Sequence, residues 1–284
     1  MTEISVAAPQ PDTSRRRFRW GRAGTNPVGL GVATLWLSII VLLPLAAIVG
    51  KSFDNGWSGF WSAISAKNAV EALLITVWVS IVVALINVVM GTVVAWVLVR
   101  DDFPGKSIVN AIIDLPFALP TIVASLVLLS LYGPNTPIGI QLNATQPALV
   151  IALTFVTLPF VVRQVQPVLI EVDRDAEEAG ASLGASNWTI WRRIVFPSLL
   201  PAVLTGGGLA FTRAIGEFGS VVLIGGNVPG KTQVASQYIQ QQIEVDAPVD
   251  AAAISVVLLL IAFVVLLILR IAGSRQSRRE DKNR

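Results

Sequence analysis

The sequence predicts an all-α membrane protein with about six transmembrane helices, and three observations predict it. Of its 284 residues, 54% are hydrophobic and only 14% are charged, against roughly 25% charged in an ordinary soluble domain. Apolar runs of about twenty residues recur along the chain, long enough to cross a ~30 Å hydrocarbon core as helices. The basic residues gather in alternate connections between those runs. A β-barrel would instead show alternating segments of about ten residues, and the sequence has none.

Taken in order, residues 1–27 are polar, with Pro and Arg, and are expected to form a disordered basic tail. The membrane domain is expected over 28–272, with spans near 30–50, 69–99, 108–132, 148–162, 199–224 and 251–271. The second run is longer than a bilayer needs, so it should tilt, project or include an interfacial segment. Pro116 and Pro120 interrupt the third run and Pro159 lies near the end of the fourth. Kinks are the simple expectation there, and broken helices beside a transport pathway are the alternative. A polar stretch at 163–197 separates the fourth and fifth runs, and a charged tail fills 273–284.

Six spans place Arg15, Arg16, Arg17, Arg19, Arg22, Arg100, Lys106, Arg163, Arg174, Arg192, Arg193 and six C-terminal cations on one side. Only Lys51, Lys67 and Lys231 fall on the other, a bias of seventeen to three. Positive charge is retained on the cytoplasmic side, so both termini and the 163–197 stretch are expected there. The same count explains the net charge of +3 without nucleic acid. Ser14-Arg15-Arg16-Arg17-Phe18 resembles a twin-arginine export signal, but five further spans and no clear cleavage pattern favour a basic anchor for the first helix.

The chain has no Cys and no His. That excludes disulfides, thiolate chemistry, zinc sites of the Cys/His type and a histidine general base. One stretch imitates a nucleotide site: Gly225-Gly226-Asn227-Val228-Pro229-Gly230-Lys231-Thr232 matches the Walker A spacing. The charge count puts it outside the cell, and no soluble α/β domain surrounds it. An external Gly/Pro turn is the expected reading, and a membrane ATPase built around this loop is the rival.

Glu177 to Pro197 reads as two short helices joined by a turn. Ala179 to Ala185 is a run of small residues that lets a partner approach the backbone. Gly184 can take positive φ between the helices, and Ser186 can cap the second. Trp188, Trp191 and Val195 make an apolar stripe, with Arg192 and Arg193 near the helix end that favours cations. Pro197 and Pro201 are expected to end that helix and begin the next span. An amphipathic loop lying on the membrane surface is the bland alternative.

Arg213 and Glu217 fall within the fifth run, four apart and so on one helix face. Ionisable groups at membrane depth are costly and are functional candidates by default. Arg213 can draw an anion into a water-filled path, and Glu217 can temper that charge so the anion leaves again. A self-neutralising pair that sets helix packing is the equal alternative. Gly206-Gly207-Gly208 is expected to be a close helix contact, with a hinge as the alternative.

The loop resembles the EAA loop of ABC importer permeases. Glu178-Ala179-Gly180 stands for Glu-Ala-Ala, Gly184 follows at the right spacing, and Ile194-Val195-Phe196-Pro197 closes it. Gly180 replaces the usual second Ala and Phe196 the usual Leu. The segment 212–219 is similar to the Arg-Ala-x-Gly-Glu-Phe-Gly signature of sulfate and molybdate permeases. Asp114 to Thr121 and Pro159 to Leu169 resemble sulfate/thiosulfate permeases of the CysT type. The resemblance covers residues 73–271 and implies a type I ABC importer permease fold.

It further implies that Glu178, Ala179, Gly180, Gly184, Ile194 and Pro197, in a coupling loop at 171–197, transmit motion from an ATPase. The implied partners are a second permease (CysW type), two ATPase subunits and an extracytoplasmic sulfate-binding protein, in the lipid bilayer and without nucleic acid. No cofactor is expected on this subunit, since the partner would bind ATP, and no reaction is expected of it. A molybdate or tungstate permease is the nearest rival. An autonomous channel or secondary anion transporter is the distant one.

Overall fold

The computed structural model describes residues 27–282, which form ten helices and their connections, with no strand among the described residues. Nearly all of the basic tail expected over 1–27, and residues 283–284, lie outside the described residues. The helices are α1 (Val28–Ser52), α2 (Gly56–Ser65), α3 (Lys67–Arg100), α4 (Lys106–Ala118), α5 (Thr121–Tyr132), α6 (Gln146–Glu171), α7 (Arg174–Ser182), α8 (Asn187–Ile215), α9 (Ala235–Glu244) and α10 (Pro248–Lys282). The chain divides into a short unit ending at Ala47 and a larger one from Ile48 onward. The described part of the short unit is most of α1, an apolar helix with one widened turn at Ser38–Leu42.

In the larger unit α3, α6 and α8 pack against one another, and α10 packs on α8. α6 and α8 run antiparallel: Val195, Leu199 and Val203 share a core with Val161, Val165 and Leu169, while Ala214 meets Leu149 and Leu153. Apolar side chains gain little by leaving lipid for protein, so helix association there rests on close fit. The three glycines supply it, each toward a different helix. A Cβ on Gly206 would stand 2.9 Å from the Val161 Cα on α6, one on Gly207 2.7 Å from Val88 on α3, and one on Gly208 2.9 Å from Leu269 on α10. Gly91 of α3 meets Val161 from its other side, 2.8 Å from where a Cβ would lie. The triplet is therefore a packing junction.

Gly206→Ala is expected to lower the melting temperature of the detergent-purified protein, because backbone rather than a flexible tip must move. Overpacking of this kind costs about 1–3 kcal/mol. Gly50→Ala, with nothing within 4 Å of the added methyl, should be neutral or slightly stabilising. Equal melting shifts for the two would refute the junction.

Among the described residues, five helices are long and apolar enough to cross a membrane, and the α4–α5 pair makes a sixth only if taken as one bent span. That is the main departure from the expected third span at 108–132. The pair turns by 112°. Pro120 causes it: the ring pushes Leu119 out of the helical region, to φ −84° and ψ 133°, and Pro120 itself sits at ψ 129°. The Pro120 carbonyl then accepts from Val123 and opens α5. Pro116 and Pro159, by contrast, stay inside their helices.

Two other boundaries move. α6 continues to Glu171, so Arg163 is a helix residue and not part of a loop. α8 starts at Asn187 and runs unbroken through Pro197 and Pro201, so Pro197 does not end a separate short helix. A π-helical turn at Trp191–Val195, closed by the Phe196 N–H on the Trp191 carbonyl, absorbs the ring.

Candidate functional site

Two places hold the sequence-predicted residues. The first is the α7–α8 turn. Asp173 caps α7 by accepting from the Asp175 N–H at 2.9 Å. The helix ends in a full Schellman turn: Ala185 N–H donates to the Gly180 carbonyl at 3.1 Å and Gly184 N–H to Ala181 at 2.9 Å. Gly184 carries φ +81°, the left-handed conformation this motif needs. Ser186 then caps α8, accepting from the Thr189 N–H. Trp188 and Trp191 stack at 5.0 Å, and Val195 beneath them is fully buried.

Gly180 faces inward, where a Cβ would stand 3.2 Å from the Ile194 side chain and 3.4 Å from Ile190. An alanine there would fit only if Ile194 yields slightly, which is the local reason for glycine. Glu178 and Ala179 point outward, and Leu183 is 89% exposed at the tip. Glu177 points back and pairs with Arg100 at the end of α3. The Arg100 guanidinium also lies over the Trp96 ring, 5.5 Å from its centre. This tether, absent from the sequence reading, fixes α7 to the membrane bundle while leaving its outer face open.

The second place is the end of α8. The helix stops at Ile215, so Glu217 lies in the irregular segment after it and not on the same helix face. The pair still forms, with Arg213 Nη2 2.6 Å from Glu217 Oε2. Glu217 Oε1 accepts from the Ser220 N–H at 2.9 Å, which folds the chain back where the fifth run was expected to continue to 224. Glu217 is 2% exposed, whereas the Arg213 side chain is 39% exposed. The remaining Arg213 N–H groups have no partner among the described residues.

Irregular backbone at membrane depth survives only where its polar groups are satisfied by protein or water. Here Ser125 of α5 accepts from both the Leu223 and Ile224 N–H groups, at 3.1 and 3.2 Å, and the Ile224 carbonyl accepts from Ala144. Gly219 lies against Thr121, whose Oγ1 would be 2.1 Å from an added Cβ. The break at Pro120 thus positions the α5 N-terminal turn to hold the segment after Arg213.

Depth follows from the antiparallel packing. Gly206 meets Val161, fifteen residues into α6, and Arg213 lies seven residues further along α8. At 1.5 Å per residue Arg213 is about 12 Å inside the far end of α6, well within a span.

The structure also shows a polar clamp that the sequence reading missed. Arg163 Nε and Nη2 grip the Asp114 carboxylate at 2.7 and 2.6 Å, joining α6 to α4. Its other donors reach Asn110 Oδ1, Gln166 Oε1 and the Asn110 carbonyl. All five N–H groups are engaged, so this arginine has nothing left for an anion, unlike Arg213. The signal was present: Asp114 and Arg163 are both charged residues inside or bordering apolar runs.

The Walker-like loop has no P-loop geometry. Gly226, Asn227 and Gly230 all take positive φ in successive turns, Thr232 is buried and accepts from the Val228 N–H, and the next helix starts only at Ala235. Lys231 and Thr232 therefore do not open a helix N-terminus.

Residues 87–279 match the model of the binding-protein-dependent transport system inner membrane component family. The chain is 44% identical to the sulfate transport system permease protein CysT of Synechocystis sp., over 95% of this chain and 96% of that protein. It is 39% identical to the CysT protein of Escherichia coli, over 89% of this chain and 94% of that one. Among solved structures, a bacterial ABC transporter that imports the acidic polysaccharide alginate superimposes with a TM-score of 0.72 and 16% identity, over 88% of this chain and 94% of that chain.

Proposed function

We propose, for a chain that belongs to the binding-protein-dependent transport system inner membrane component family and has the fold of a type I ABC importer permease, that it is a permease subunit importing sulfate, with thiosulfate as a second substrate. The observation that carries the substrate is the identity of 44% and 39% with proteins named as sulfate permeases, across nearly the whole chain. Arg213 supports it chemically, as a half-exposed guanidinium at membrane depth with donors to spare. The subunit is a transport component and not an enzyme.

In this reading the outer face of α7, with Glu178, Ala179 and Leu183, docks on an ATPase subunit that binds and hydrolyses ATP. The Schellman turn at Gly184 and the unbroken α8 make a rigid lever, so motion at α7 reaches Arg213 along one helix. The Arg100–Glu177 pair keeps α7 moving with α3. A second, related permease completes the pathway, and an extracytoplasmic binding protein delivers the anion. In this reading both termini and α7 lie in the cytoplasm, which the basic bias of the sequence supports.

The test is radiolabelled sulfate uptake in a strain lacking this gene, with and without the gene restored. Restored uptake that excess thiosulfate blocks supports the reading. Unchanged sulfate uptake with lost molybdate accumulation would keep the permease and overturn the substrate.

A further inference from the structure

The Glu217 carboxylate is bound as a free anion would be. One oxygen lies 2.6 Å from the Arg213 guanidinium and the other takes the Ser220 N–H at 2.9 Å. One further donor lies beside it without any partner among the described residues. It is the hydroxyl of Ser220, the residue whose N–H already holds the carboxylate and which is 0% exposed. Ser236 donates its hydroxyl to the Glu217 carbonyl at 2.8 Å and ties the start of α9 to this segment. Buried donors are almost always matched, so an orphan hydroxyl beside a buried carboxylate needs a reason.

We propose that Glu217 is an internal stand-in for the transported anion. It occupies a cradle formed by Arg213 and the Ser220 N–H and O–H, whose ligand is a tetrahedral dianion. This rests on the anion-permease reading above. The carboxylate satisfies Arg213 and one N–H, and leaves the Ser220 hydroxyl unmatched. A tetrahedral anion has four oxygens and can engage all of them. Entry of the anion displaces the carboxylate from Arg213, and return of the carboxylate ejects it. Affinity is then the difference between two anions competing for one site, which keeps binding weak enough for release.

The experiment uses the assembled importer, purified in nanodiscs without its binding protein, and measures equilibrium binding of radiolabelled sulfate. Glu217→Gln removes the competing charge but keeps an oxygen for the Ser220 N–H. It is expected to bind sulfate about tenfold or more tightly, and to slow maximal uptake because release is slower. Ser220→Ala deletes an unmatched donor, so it should not lower the melting temperature. It is expected to weaken sulfate binding about three- to tenfold.

A purely structural role predicts the reverse: lower melting temperatures and unchanged affinity per folded complex. If Glu217→Gln binds no more tightly, or Ser220→Ala leaves affinity unchanged, the cradle is wrong. Wild-type complex that neither binds nor imports sulfate would instead refute the substrate reading itself.

Discussion

Gly184→Val is expected to reduce sulfate uptake by about 30-fold while leaving the membrane bundle folded. Gly184 sits at φ +81° with nothing within 4 Å of an added methyl, so the penalty is backbone strain and not crowding. A left-handed conformation costs an L-residue about 1–2 kcal/mol, and more with a branched Cβ. A cost near 2 kcal/mol is roughly a 30-fold loss in the population of the competent turn. That turn is held by only two hydrogen bonds, from Ala185 to Gly180 and from Gly184 to Ala181. The valine side chain therefore reorients α7 against α8 rather than being absorbed. Asparagine tolerates the left-handed region far better, and Gly184→Asn should retain most uptake. The measurement is the uptake rate alongside ATPase activity of the purified complex. Valine and asparagine variants with the same rate would show that the turn conformation does not matter for coupling.

The turn was legible in the sequence because its determinants are local. A glycine followed two residues later by a capping serine specifies a helix–turn–helix whatever surrounds it. Gly206 to Gly208 were legible as a contact for the same reason, since a triplet without side chains serves close approach. What lay hidden depended on partners distant in sequence. Val221 to Ile224 read as the end of a span because they are apolar. They are not helical because the Ser125 hydroxyl, about a hundred residues earlier, takes two of their N–H groups.

Hydropathy reports where a segment lies, not which group satisfies its backbone. The Pro120 break was one of three prolines with equal local claims. Only the packing of α5 against the segment after Arg213 distinguishes it from Pro116 and Pro159. Arg163 was assigned to a loop because a charge usually ends a span. Here Asp114, Asn110 and Gln166 take all its donors and let the helix continue.

Arg213→Gln is expected to abolish measurable sulfate uptake, and the harder question is why. Among the described residues the substitution removes the one cation with free donors at this depth, and it also strands Glu217, which is 2% exposed. Breaking a buried pair by removing one partner costs about 3–5 kcal/mol, enough for loss of uptake to be mere misfolding. The double variant Arg213→Gln with Glu217→Gln separates the two. Two amides can replace the ion pair with a neutral hydrogen bond, and the Glu217→Gln oxygen can still accept from the Ser220 N–H. The double variant should therefore recover the wild-type melting temperature and assembly while uptake stays at background. Recovery of uptake along with stability would mean that the arginine serves only its glutamate, and the anion would have to be drawn by some other group. Stability without uptake would assign the free face of Arg213 to the passing anion, because the packing role would have been restored and the charge would not.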